Sequence, residues 1–121
     1  MLLIDAANVI GSRPTGWWRD RPGAARSFVE RVRTAARDAK VAEPVVVVLE
    51  GYARRGIGEG VVDGVTVIHA PHSGDDTLIA VATKATDHVT LISADRGLRQ
   101  RAEALGASVV GPNWLLGLLD E

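Results

Sequence analysis

The chain contains no cysteine. That absence excludes disulfides, thiolate zinc sites and cysteine nucleophiles. No apolar stretch approaches the roughly 20 residues needed to cross a bilayer. The opening run Met1-Leu2-Leu3-Ile4 is too short for a signal-peptide core and lacks a basic flank. A cytoplasmic protein with no membrane partner is therefore expected. Positive charge is not in excess, because the formal net charge is -1. This argues against a polybasic chain coated with nucleic acid, and leaves a local basic surface open. The only lysines are Lys40 and Lys84, while arginine is plentiful. We read that bias first as codon composition and second as an RNA-binding signal. There is no repeat, linker or low-complexity segment. What is present is an ordinary globular composition, 46% hydrophobic and 24% charged over 121 residues. It fits a single domain spanning 1–121.

The hydrophobic pattern alternates between two periods. Leu2 to Asp5 reads as a short buried strand ending in an acid, and Ala6 to Arg21 as a polar connection. Ala25, Phe28, Val29, Val32, Ala36 and Ala39 recur at helical spacing from Pro22 to about Lys40. Val45-Val46-Val47-Val48-Leu49 is a continuous β-branched run, the mark of a strand covered on both faces. Gly51 to Gly64 reads as a glycine-rich loop. A strand over 65–70, a helix over 74–85, a strand over 89–93, a helix over 95–105, a strand over 108–110 and a helix over 113–119 complete the chain. Strands alternating with helices predict an α/β fold, with a mostly parallel sheet of about five strands and helices on both faces.

In such a sheet, chemistry collects outside the carboxyl ends of the strands. Asp5 ends the first strand and Glu50 the second. Asp75 and Asp76 open the helix after the third, and Asp95 follows the fourth by two residues. Asn8 lies three residues beyond Asp5. Scattered in sequence, these groups fall on one rim. Carboxylates brought close together repel one another, and an all-oxygen donor set suits Mg²⁺ or Mn²⁺. The plainer reading of each acid is structural: Asp75 and Asp95 as helix caps, Glu50 as an exposed strand end.

The stretch Leu3-Ile4-Asp5-Ala6-Ala7-Asn8-Val9-Ile10 resembles the Asp-x-x-Asn signature of NYN domains, a branch of the PIN-like nuclease superfamily. Gly74-Asp75-Asp76-Thr77-Leu78-Ile79 resembles that family's Asp-Asp helix start, and Leu91-Ile92-Ser93-Ala94-Asp95 its Ser-x-Asp strand end. Ala104-Leu105-Gly106-Ala107-Ser108-Val109 is similar to its last strand approach. The motifs run in the family's order over nearly the whole chain. The resemblance implies a three-layer PIN-like fold and a metal-dependent ribonuclease. It implies Asp5, Asp76 and Asp95 as Mg²⁺ or Mn²⁺ ligands, with Asn8 and Asp75 beside them, and Ser93 among the substrate-binding positions. Glu50 stands where many relatives carry aspartate. Trp17-Trp18-Arg19-Asp20 matches nothing in the family pattern.

Outside those motifs, His69, His72 and Asp75 form His-x-x-His-x-x-Asp, for which packing or loop roles are the stronger reading than zinc. Gly56, Gly58 and Gly60 lack the Gly-x-Gly-x-x-Gly spacing and a following helix pattern, so a flexible loop is expected. Trp17 and Trp18 sit among Arg13, Arg19 and Arg21, a setting suited to base stacking and phosphate contact. Alternatively, one tryptophan packs on the core and the other on a partner subunit, which would make a homodimer. The substrate-gripping residues expected are Arg13, Trp18 and Arg19 on the first loop and Arg54 and Arg55 on the second, with RNA as partner. Two functions compete: a ribonuclease, and a non-catalytic RNA-binding or scaffolding module of the same fold. A haloacid-dehalogenase-like site would need Asp-x-Asp where Ala7 stands, and a receiver domain a late lysine.

Overall fold

The computed structural model describes residues 1–120. Six strands, β1 (Leu2–Asp5), β2 (Val45–Leu49), β3 (Gly60–Val62), β4 (Val65–His69), β5 (Thr90–Ile92) and β6 (Ser108–Val110), form one sheet in the order β3-β4-β2-β1-β5-β6. All neighbours are parallel except β3, which pairs antiparallel with β4 at the edge. The helices are α1 (Ala6–Gly11), α2 (Arg21–Arg37), α3 (Gly74–Lys84), α4 (Arg96–Ala104) and α5 (Pro112–Leu119). This is the expected three-layer α/β architecture, with six strands in place of about five.

Strand periodicity sorts the core into two halves. Successive side chains point to opposite faces. Accordingly Leu2, Ile4, Val45, Val47, Leu49 and Ile92 pack with α1, α2 and α5, while Leu3, Val46, Val48 and Leu91 pack with α3 and α4. The unbroken apolar run of β2 is thus two interleaved half-runs, one for each layer. The same alternation fixes the rim. Asp5 shares the face of Leu3, Glu50 that of Val48, and Ser93 that of Leu91, so all three turn toward the α3/α4 layer.

Two segments differ from the sequence expectation. Ala6–Gly11 is helical, with Ala6 and Val9 buried, not a polar connection. Its six residues are too few to display a helical period. The glycine-rich stretch is also ordered: Gly51–Arg55 is a 3-10 turn and Gly60–Val62 is the edge strand. Gly56 there approaches the start of α2 so closely that a Cβ would lie 2.0 Å from the Pro22 carbonyl oxygen. Arg26 Nε donates to the Gly56 carbonyl at 2.8 Å and fastens the contact. The segment is a packed strut, not a flexible loop.

Candidate functional site

From β1 the chain moves through β2 to β4 on one side and reaches β5 and β6 on the other. The order therefore reverses at the β1/β5 junction, where open α/β sheets form their binding crevice. Asp5 and Asn8 stand on the β1 side of this junction, Ser93 and Asp95 on the β5 side. Asn8 Oδ1 accepts from the Ala94 backbone N–H at 2.8 Å and ties the two sides together.

Asp5 is buried, with 6% of its surface exposed. Ser93 Oγ donates to Asp5 Oδ2 at 2.8 Å, and the Asp95 backbone N–H donates to Ser93 Oγ at 3.1 Å. Burial pushes the Asp5 carboxyl up to about 6, against the hydrogen bond from Ser93; the negative charges of Asp75 and Glu50 push the same way as burial. Two further acids thus face Asp5 closely enough to raise the cost of its ionisation. Among the described residues, no ion pair to Asp5 offsets that cost.

Asp75, in the first turn of α3, is half-buried and in the field of Asp5. Asp76 is turned outward: its side chain is 89% exposed and pairs with Arg101 at 3.1 Å. Of the two consecutive acids, Asp75 is the one turned toward Asp5 in this structure. One residue along a helix rotates a side chain by about 100°, and only the phase of the packed helix decides which acid faces the crevice. Glu50 Oε2 accepts from the Gly74 backbone N–H at 3.1 Å, at the start of α3. Asp95 is the N-cap of α4, with Oδ1 accepting from the Leu98 backbone N–H at 2.8 Å. The capping role weighed from sequence is real for Asp95. It occupies one oxygen of an otherwise exposed carboxylate. Neither Asp75 nor Asp76 caps α3; Ser73 occupies that position.

Three expected substrate contacts are placed differently. Ser93 is fully buried, so it positions Asp5 and Asp95 and cannot meet a substrate directly. Arg54 is a brace: its Nε donates to the Gly51 carbonyl at 3.1 Å and its Nη1 to the Ala70 carbonyl at 3.2 Å. Arg13 joins Arg31 on Asp120, at 2.9 and 2.7 Å. Arg19 and Arg55 instead lie over aromatic rings, at 5.9 Å from the Trp18 centroid and 4.7 Å from the Tyr52 centroid. Trp18 is half exposed and packs edge-on against Trp17, 5.8 Å between centroids. His69 ends β4, and its Nε2 bonds the Ile57 carbonyl at 2.8 Å. Tyr52, 60% exposed beside Glu50, was not singled out from sequence. Its only sequence signal is an aromatic between a strand-end acid and an Arg-Arg pair.

Among the described residues, no three His, Cys, Asp or Glu side chains are placed to hold a metal ion together. A closed protein cage is therefore not formed. The donor chemistry still suits Mg²⁺, which commonly keeps several waters and takes one or two carboxylates plus substrate phosphate oxygens. A buried carboxylate whose neighbours are two more carboxylates is the matching observation on the protein side.

The layers, the parallel sheet with one antiparallel edge strand and the acid-lined switch point define a PIN-like α/β fold. No protein-family model matches the chain, and no curated protein matches it in sequence. Among solved structures, the crystal structure of a point mutant of Rae1 (YacP) from Bacillus subtilis superposes with a TM-score of 0.71. The match covers 98% of this chain and 74% of that one at 18% identity. Likeness at that identity is likeness of fold. Among the described residues, no helix is long and apolar enough to cross a membrane.

Proposed function

We propose that this chain is a metal-dependent ribonuclease that hydrolyses single-stranded or structured RNA. The observation that carries the reading is Asp5: a buried acid at the switch point, raised to about 6, in the field of Asp75 and Glu50. Carboxyls perturbed by burial together with specific charged neighbours cluster at functional sites. Asp5 and Asp75 would hold Mg²⁺ or Mn²⁺, with Glu50 and Asp95 flanking. The ion would supply an activated water and charge stabilisation at the leaving oxygen. Ser93 fixes the rotamer of Asp5 and couples it to the Asp95 backbone. Asn8, held through its Oδ1, keeps its amide Nδ2 for a phosphate oxygen. Arg19 and Arg55 stand on the loops flanking the acids. Water attack at phosphorus with departure of the 3′-oxygen leaves a 5′-phosphate and a 3′-hydroxyl, and makes no use of the RNA 2′-hydroxyl.

The test is degradation of a mixed RNA pool with and without Mg²⁺ or Mn²⁺, comparing wild type with Asp75→Asn and Asp95→Asn. Metal-dependent loss of RNA that both substitutions abolish is expected. Products ending in 2′,3′-cyclic phosphate would overturn the mechanism. One observation favours the second reading, an RNA-binding module without catalysis: no three ligands converge among the described residues. RNA binding with no cleavage, and no effect of millimolar metal on melting temperature, would establish that reading instead.

A further inference from the structure

Behind Glu50, on the α1/α2 side of the rim, lies a recess of about 270 Å³. Ile10, Trp17, Ala24, Leu49 and Tyr52 wall it, and Glu50 lines it as well. Glu50 is thus shared between the recess and the acid cluster, since it also bonds α3 and acts on Asp5. Two guanidinium groups lie over its aromatic walls. Arg21 lies 5.4 Å from the Trp17 ring centroid and Arg55 4.7 Å from that of Tyr52. Tyr52 also borders two shallower grooves, one leading to Trp18 and Arg19 and the other to Arg54, Arg55 and His69. Tyr52 thus stands exposed where three depressions meet, with arginines around it.

We infer that this recess receives one unstacked base of a single-stranded RNA, with Tyr52 as its stacking platform and Arg21 and Arg55 on the adjoining phosphates. This deepens the ribonuclease reading and rests on it. The size suits a group smaller than a whole drug-sized ligand: pockets for such ligands run to roughly 300–1,000 Å³, and this recess lies just below that range. The chemistry is suitable too. Apolar walls and an aromatic face take the flat of a base, and guanidinium groups take phosphate. Duplex RNA cannot supply such a base without unpairing it, so the recess selects for single strands. The next phosphate along the strand is then delivered over Glu50 toward Asp5 and Asp75.

The experiment measures binding by fluorescence anisotropy, in chelator to prevent cleavage. It uses a single-stranded oligoribonucleotide, the same backbone without bases, and a duplex, each with wild type, Tyr52→Ala and Tyr52→Phe. Stacking on one aromatic ring is worth about five- to a hundredfold in affinity. Tyr52→Ala should therefore weaken single-strand binding by that factor, while Tyr52→Phe stays within about threefold of wild type. The abasic and duplex probes should bind all three proteins alike. Tyr52 is exposed, so both variants should fold, and their melting temperatures verify it. Unchanged single-strand binding by Tyr52→Ala overturns the recess and leaves the acid site standing. A changed sedimentation mass with unaltered RNA affinity overturns it too, and makes the patch a protein interface. Absence of RNA binding in wild type removes this inference together with the ribonuclease reading.

Discussion

Asp5 carries an energetic signature that a melting curve can read. Its carboxyl titrates near 3.8 when unfolded and about 6 when folded. Between those values the native state binds the proton that the unfolded chain has released. The stabilisation from this proton is complete below about pH 3.8 and lost as pH rises through about 6. At neutral pH the buried charge then costs about 3 kcal/mol. Asp5→Asn removes the charge and keeps an oxygen to accept from Ser93. It should stabilise the fold by about 2–3 kcal/mol near pH 8, and the advantage should vanish near pH 4. Thermal melts across that range decide the matter; an Asn variant less stable at pH 8 would mean that the carboxylate is not the strained form of this side chain. A second comparison separates the two adjacent acids. Asp75→Asn should abolish both cleavage and metal-induced stabilisation. Asp76→Asn should leave both within about twofold, because an exposed ion pair with Arg101 is worth only about 0–1 kcal/mol. Equal losses in the two variants would make Asp76 a ligand alongside Asp75. The sequence made the acids legible, because strand ends in a parallel sheet share a rim. It did not reveal which of two consecutive acids faces inward, since that depends on how α3 is rolled against the sheet.

At the scale of elements, the rim depends on two glycines that let backbone and side chain come close. A Cβ at Gly74 would sit 3.2 Å from Glu50 Oε1, so Gly74→Ala should push Glu50 away from the start of α3. The cost is of the order of one hydrogen bond, about 1 kcal/mol. Gly56→Ala meets the Pro22 carbonyl directly, and backbone yields less readily than a side chain. A loss of about 1–3 kcal/mol is expected, together with release of the 3-10 turn that carries Tyr52 and Arg54. Denaturant melts of the two variants should rank Gly56→Ala as the more damaging; the reverse ranking would mean that the turn moves freely. The strands and the longer helices were readable from sequence, because their apolar periods persist for enough residues. The short α1 and the edge strand β3 were not. α1 takes its stability from Ala6 and Val9 buried against neighbours remote in sequence, and all three residues of β3 are exposed, leaving no core signal to detect.

For the whole molecule, a net charge of -1 requires that any hold on a polyanion come from the distribution of arginines, not their number. The structure divides them. Arg13 and Arg31 are engaged by Asp120, Arg101 by Asp76, and Arg26 and Arg54 by backbone carbonyls. Arg19, Arg21 and Arg55 instead lie over Trp18, Trp17 and Tyr52, where a ring face holds the side chain without consuming the N–H donors. If these three meet phosphates, the logarithm of single-strand affinity should fall against the logarithm of salt with a slope of about -2. Arg19→Ala and Arg55→Ala should each reduce that slope by roughly 0.7 and weaken binding for every base sequence alike. Arg54→Ala should leave the slope unchanged and lower the melting temperature, because it removes a brace and not a phosphate contact. Sequence position makes Arg54 and Arg55 equivalent; only their hydrogen bonds distinguish them. A steeper slope for wild type, lost on replacing Arg54, would show that the brace opens when RNA binds and would place the phosphate path on the His69 side of Tyr52.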